Sequence, residues 1–141
     1  MNLYAESSAV LAWLLDEAKG PAMRKSLAEA ESILTSELTL IECDRALHRV
    51  AATGAITTGF AADRQARLAA AAEAWTILRL TPAIVARARR PFPEEPIRTL
   101  DALHVASALH AGSMLAGLVV LSLDARVRKA ARALGLDVTP A

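Results

Sequence analysis

Carboxylates, hydroxyls and arginines are the residues of this chain that could do chemistry. Glu6, Glu42, Asp101 and Asp124 follow one another along its 141 residues, with Ser122 two positions before the last. Asp101 lies in Arg98-Thr99-Leu100-Asp101-Ala102-Leu103-His104-Val105-Ala106-Ser107-Ala108-Leu109, which reads as the start of a helix. Thr99 is placed to cap it, and an acid in the first turn is favoured by the unpaired amides and the positive end of the helix dipole. Ala102, Val105, Ala106 and Leu109 recur at i, i+3, i+4 and i+7, so one face is expected to be buried. Taken alone, Asp101 is a helix-start carboxylate. The three other acids give it a further meaning if the fold brings them near it. The remaining reactive types offer less. His48, His104 and His110 show no i,i+4 pairing and no accompanying cysteine pattern, which argues against zinc. His104, three residues after Asp101, could approach any site built there but reads first as a helix-packing side chain, Cys43 reads as core, and Trp13 and Trp75 as core or interface.

The elements that must position these groups follow from punctuation and periodicity. Asn2 to Ala5 reads as a strand, and Ser7 or Ser8 caps a helix to about Asp16. Lys19-Gly20-Pro21 marks a stop and restart, with a second helix to about Ala30 and a brief strand over Ser32 to Thr35. A third helix begins near Ser36, carries the stripe Leu40, Cys43, Leu47, Val50 and Ala51, and stops at Gly54. A fourth opens at Thr57 or Thr58. Trp75 to Leu80 reads as a strand, and Thr81-Pro82 opens a fifth helix to about Arg89. Pro91 to Pro96 is a loop. After the sixth helix come a strand over Leu118 to Ser122, a helix over Asp124 to Leu134 closed by Gly135, and a last short strand near Leu136 to Val138. Strands alternating with helices predict a short, mostly parallel sheet covered on both faces, a three-layer α/β/α domain.

In such sheets functional groups gather beyond the carboxyl ends of the strands. Glu6 follows the first strand and Asp124 the fourth, so both fall on one edge if those strands are parallel, and Asp101 can face the same edge. Glu42 is harder to place. It lies nearly two turns into its helix, on a face shared with Arg45 and Arg49, where a solvated ion-pair face is the natural expectation.

Composition bounds the class. The chain is 54% hydrophobic and 22% charged, much of the apolar share being alanine, which favours one packed, helix-rich domain over disorder. A single cysteine excludes an internal disulfide and fits a reducing, cytoplasmic setting. Met1 runs directly into an apparent strand, with no leader-like or membrane-spanning segment expected. Net charge is +1, with 13 arginines among the 16 basic residues. Arg126, Arg128, Lys129 and Arg132 cluster just after Asp124, where a solvated helix face is the simpler reading.

These residues carry a resemblance. Leu3-Tyr4-Ala5-Glu6-Ser7-Ser8-Ala9 resembles the strand-and-turn that opens PIN-domain ribonucleases. Glu42 with Arg45-Ala46-Leu47 resembles their second acidic site. Asp101-Ala102-Leu103-His104-Val105-Ala106 is similar to their most distinctive segment, and Leu121-Ser122-Leu123-Asp124 to their closing motif. The likeness spans nearly the whole chain and points most closely to the single-domain toxins of VapBC toxin–antitoxin systems. It implies a four-carboxylate pocket that binds Mg²⁺ or Mn²⁺ and hydrolyses single-stranded RNA. Hard cations need oxygen ligands and offset clustered negative charge. On this resemblance Glu6, Asp101 and Glu42 bind or orient the metal. Asp124, with Ser122, holds a second metal or the attacking water, and Arg98 and Arg126 contact phosphates. One departure is Glu6, where the family usually has aspartate; the extra methylene implies altered metal geometry with the carboxylate retained. The resemblance also implies a homodimer and a cognate antitoxin whose amphipathic segment fills an apolar groove, for which Trp13, Leu14 and Leu15 are the candidates.

Two other readings compete. A PIN-like scaffold could bind a partner without catalysis. A phospho-acceptor receiver domain shares the layering, but needs an acidic pair after the first strand and an acceptor aspartate after a central one. Here only Glu6 follows the first strand, and Arg79-Leu80-Thr81 brings no acid.

Overall fold

A computed structural model describes residues 1–141. The elements run β1 (Asn2–Ala5), α1 (Ser7–Leu14), α2 (Gly20–Glu29), β2 (Ser32–Ser36), α3 (Glu37–Ala52), α4 (Thr58–Ala72), β3 (Thr76–Leu78), α5 (Pro82–Ala88), α6 (Thr99–Met114), β4 (Val119–Leu121), α7 (Ala125–Ala133) and β5 (Asp137–Thr139). The strands form one sheet in the order β3-β2-β1-β4-β5, and every neighbouring pair is parallel.

Alternation along the strands builds the layers, because successive side chains point to opposite faces. Leu3, Ala5, Ile33 and Leu121 meet α1 through α4: Val10, Leu14, Cys43, Leu47, Ala61 and Leu68 pack around Ala5 and Ile33, while Ala9, Ala12 and Met23 pack on Leu3 and Leu121. Tyr4, Leu34, Leu78 and Val120 point the other way, onto Ala108 and Ala111 of α6 and Ala131 of α7. The stripe expected on α3 is used as expected, with Cys43 and Leu47 buried in that first cluster.

The chain leaves β1 toward β2 and β3 on one side, and returns to β4 and β5 on the other. The crevice at the carboxyl ends of β1 and β4 is therefore the switch point of the sheet, the place where such folds bind ligands. This order differs from the 2-1-3-4-5 arrangement of receiver domains, and β3 leads into Arg79 and Leu80 with no acid. The receiver reading is set aside.

Most helix starts fall where the sequence puts them. Ser36 caps α3 through Leu38 N–H (3.1 Å), Thr57 caps α4 through Phe60 N–H (3.0 Å), and Thr81 caps α5 through Ile84 N–H (3.4 Å). Two differ. Glu6, rather than Ser7 or Ser8, is the cap residue of α1, because the ladder continues one residue past Ala5 with Glu6 N–H donated to Leu121 O at 3.0 Å. Arg98 holds the cap position of α6 with extended backbone and no side-chain cap bond, and Thr99 is the first helical residue. The first helix ends at Leu14 rather than near Asp16, where the backbone turns through φ 53°, a left-handed conformation that Asp tolerates better than most. β3 is shorter than expected: Leu80 N–H goes to Glu37 Oε1 (3.2 Å) instead of to a ladder partner. No helix is long and apolar enough to cross a membrane.

Candidate active site

Glu6 is brought to the switch crevice by the β1–β4 pairing and held there by hydroxyls. Its Oε2 accepts from Ser122 Oγ at 2.7 Å, from Ser8 N–H at 3.2 Å and from Ser8 Oγ. The Ser8 hydroxyl oxygen in turn accepts Leu123 N–H (2.9 Å) and Asp124 N–H (3.1 Å), so it ties the β1–α1 turn to the β4–α7 turn. Ser122 Oγ also accepts Asp124 N–H at 3.1 Å. Asp124 caps α7, its Oδ1 accepting Arg126 N–H (2.8 Å) and Val127 N–H (3.2 Å).

Glu42 does reach this edge. Its Oε1 accepts from Ser7 Oγ at 2.6 Å and is hydrogen-bonded to His104 Nε2. Neither Arg45 nor Arg49 pairs with it, so the expected ion-pair face is replaced by a half-buried anchorage on α1 and α6. Burial opposes ionisation of Glu42, but the hydrogen bonds from His104 and Ser7 and the charge of His104 outweigh it and hold the carboxyl below its ordinary range. His104, expected to be a packing side chain, is instead a member of the site. It is 2% exposed, lies 3.1 Å from Ser7 Oγ and 4.0 Å from Glu6 Oε1, and is bonded through Nδ1 to Tyr4 OH at 3.1 Å. Burial, with the nearby charge of Glu6, raises the Tyr4 phenol well above its usual pKa, so it stays protonated.

Asp101 lies one turn before His104 on α6, 6% exposed, its Oδ2 accepting Arg98 Nε at 3.3 Å. It lines a cleft of about 260 Å³ with Arg126, Lys129, Glu94 and Ile97. Arg98 and Arg126 thus both stand beside Asp101. The rest of the basic cluster is otherwise engaged: Arg128 donates to the carbonyls of Ser122 (2.7 Å) and Pro140 (2.5 Å), and Lys129 pairs with Glu94 at 2.8 Å.

The four carboxylates share a pattern. Each commits one oxygen to protein donors and leaves the other, Glu6 Oε1, Glu42 Oε2, Asp101 Oδ1 and Asp124 Oδ2, without a hydrogen bond from the protein. None of the four free oxygens is sealed from solvent. Hard carboxylate oxygens of this kind suit Mg²⁺ or Mn²⁺ in chemical type. No three His, Cys, Asp or Glu side chains already stand close enough together to hold an ion. The sequence offers Ser7 and Ser8 only as helix caps, and for His104, at i+3 from Asp101, an approach to the pocket comes second to a packing role. Tyr4 gave no signal beyond an apolar strand position.

The groove suggested around Trp13 is only partly there. Leu14 is fully buried, while Trp13 is half-buried and lines a slot of about 210 Å³ with Trp75, Leu27, Ala28, Ala71 and Arg24.

The class is defined by the five-stranded parallel sheet in the order β3-β2-β1-β4-β5, with Glu6 and Asp124 tied together through Ser8 and Ser122 at the ends of β1 and β4. The sequence pattern of the PIN domain matches residues 3–133, and the chain belongs to the PIN domain family. It is 30% identical over 138 residues to Ribonuclease VapC35 of Mycobacterium tuberculosis, covering 96% of this chain and 94% of that protein. Its fold is similar to that of VapBC2 from Rickettsia felis bound to a promoter DNA fragment, with TM-score 0.66, 11% identity, and 98% and 97% of the two chains covered. It is also similar to FitAB bound to IR36 DNA, with TM-score 0.68, 16% identity, and 98% and 93% covered.

Proposed function

We propose that this protein is a Mg²⁺- or Mn²⁺-dependent endoribonuclease and the toxin of a toxin–antitoxin pair. What supports the reading is a PIN-domain chain 30% identical to a named ribonuclease, in which Glu6, Glu42 and Asp124 are linked through Ser7, Ser8, Ser122 and His104 and each keeps one oxygen free of protein donors. Glu6, Asp101 and Glu42 would hold the ion, and Asp124 a second ion or the attacking water. When bound, the metal lowers the pKa of water and stabilises charge developing on the scissile phosphate. Ser122 and Ser8 fix Glu6 and Asp124 relative to each other. Arg98, which donates to Asp101, and Arg126, which lines the same cleft, bind the phosphates of a single-stranded RNA.

The cognate antitoxin places an apolar side chain of an amphipathic segment in the Trp13–Trp75 slot. Exposed Ile41, Val85 and Leu100, on α3, α5 and α6, are the apolar residues a second copy would cover in a homodimer. A catalytically weak binding module is the second reading, favoured by the capping roles that already occupy one oxygen each of Glu6 and Asp124. The test is cleavage of single-stranded RNA with Mn²⁺, with Mg²⁺ and with EDTA. Metal-dependent cleavage that Asp101→Asn and Asp124→Asn each abolish, with circular dichroism unchanged, supports the enzyme. No cleavage under any condition supports the binding module.

A further inference from the structure

We propose that His104 is a positioning residue that acts through Glu42, aiming its free oxygen at the ion site; this rests on the metal-dependent reading above. Glu42 reaches the edge on a flexible side chain, 27% exposed, with no arginine or lysine to hold it. A carboxylate can only accept, so the bond between His104 Nε2 and Glu42 Oε1 requires the ring proton on Nε2. On its other side the ring is bonded through Nδ1 to Tyr4 OH at 3.1 Å. Tyr4 is 0% exposed and belongs to β1, whose backbone pairs on both sides, so the ring orientation is set by the sheet itself. Orientation passes from β1 through Tyr4 to His104 on α6 and on to Glu42 on α3. Ser7 on α1 braces the same oxygen at 2.6 Å. With Oε1 occupied from two sides, Oε2 is the oxygen left for a cation. Partners of this kind, which orient a ligand without touching the ion, are worth about 10- to 100-fold in metal affinity.

The test compares two substitutions that keep different halves of the ring. The amide nitrogen of His104→Gln can stand where Nε2 stands and still donate to Glu42. His104→Asn reaches only toward Tyr4. Mn²⁺ affinity, titrated by electron paramagnetic resonance with no RNA present, is expected to fall about 10- to 100-fold in His104→Asn and to stay near wild type in His104→Gln. The thermal midpoint is expected to fall in both, since both lose the packed ring. Equal Mn²⁺ affinity in the two variants would overturn the positioning role and leave the metal-dependent reading standing. A wild-type protein with no Mn²⁺ affinity would overturn both. If neither variant folds, Tyr4→Phe removes only the partner of Nδ1, and unchanged Mn²⁺ affinity there would equally overturn the proposal.

Discussion

The hydroxyl of Ser8 makes the sharpest test of how the edge is built. Ser8→Ala removes a bond donated to the Glu6 carboxylate and the acceptor for Leu123 N–H (2.9 Å) and Asp124 N–H (3.1 Å). Asp124 N–H keeps Ser122 Oγ at 3.1 Å, whereas Leu123 N–H has no other acceptor. A hydrogen bond to a charged group is worth about 1.5–3 kcal/mol, and an orphaned, half-buried amide that water can partly reach costs about 1 kcal/mol. The expected loss is about 2–4 kcal/mol, well above the roughly 0.5 kcal/mol of ordinary surface substitutions. For a domain of this size that corresponds to a fall of about 10 °C in thermal midpoint. Urea unfolding with an unchanged slope would give the free energy. The loosened link between Glu6 and Asp124 should also weaken Mn²⁺ binding. Because Ser122 serves the same two residues, Ser8→Ala and Ser122→Ala should be strongly non-additive. A Ser8→Ala protein within 0.5 kcal/mol of wild type and with unchanged Mn²⁺ affinity would refute the argument.

Further outcomes follow from the same contacts. Glu42 has a folded-state pKa below its ordinary value, so its contribution to stability is full above the unfolded value of about 4.3 and is lost as pH falls through the lowered one. Melting of the wild type should therefore decline more steeply as pH falls below about 4.3 than melting of Glu42→Gln, and parallel curves would contradict this. Gly20→Ala should destabilise by about 1–3 kcal/mol in urea unfolding, because a Cβ there would lie 2.4 Å from the carbonyl oxygen of Ala12 and force α2 away from α1. Trp13→Ala should weaken antitoxin binding with the fold preserved, measured by calorimetry against the cognate antitoxin.

Layering was legible because it is written in local signals. The two-residue period of Leu3, Tyr4 and Ala5, the stripe on α3 and the Ser, Thr and Gly stops each carry their own reason. The shared edge of Glu6 and Asp124 followed from parallel strands. What was not legible is what depends on side chains meeting across elements. Glu42 looked like a partner for Arg45 and Arg49 because those are its helical neighbours, and only the packing of α3 against α1 and α6 brings Ser7 and His104 to it. His104 shares its apolar neighbourhood with Val105 and Ala108, so its polar role shows only when Tyr4 is seen beneath it. The basic run after Asp124 reads as one cluster in sequence, yet the structure divides it, tying Arg128 to carbonyls and Lys129 to Glu94 while Arg126 stays beside Asp101.

The central claim is that the free oxygens of Glu6, Glu42, Asp101 and Asp124 converge on one ion or an adjacent pair. Anomalous diffraction from crystals grown with Mn²⁺ tests it directly. The account predicts a manganese peak at the carboxyl ends of β1 and β4, about 2.0–2.3 Å from Asp101 Oδ1 and at least one of Glu6 Oε1 and Glu42 Oε2, and absent in Asp101→Asn. Crystals saturated with Mn²⁺ that show no peak at this edge, or a peak that persists in Asp101→Asn, would contradict it.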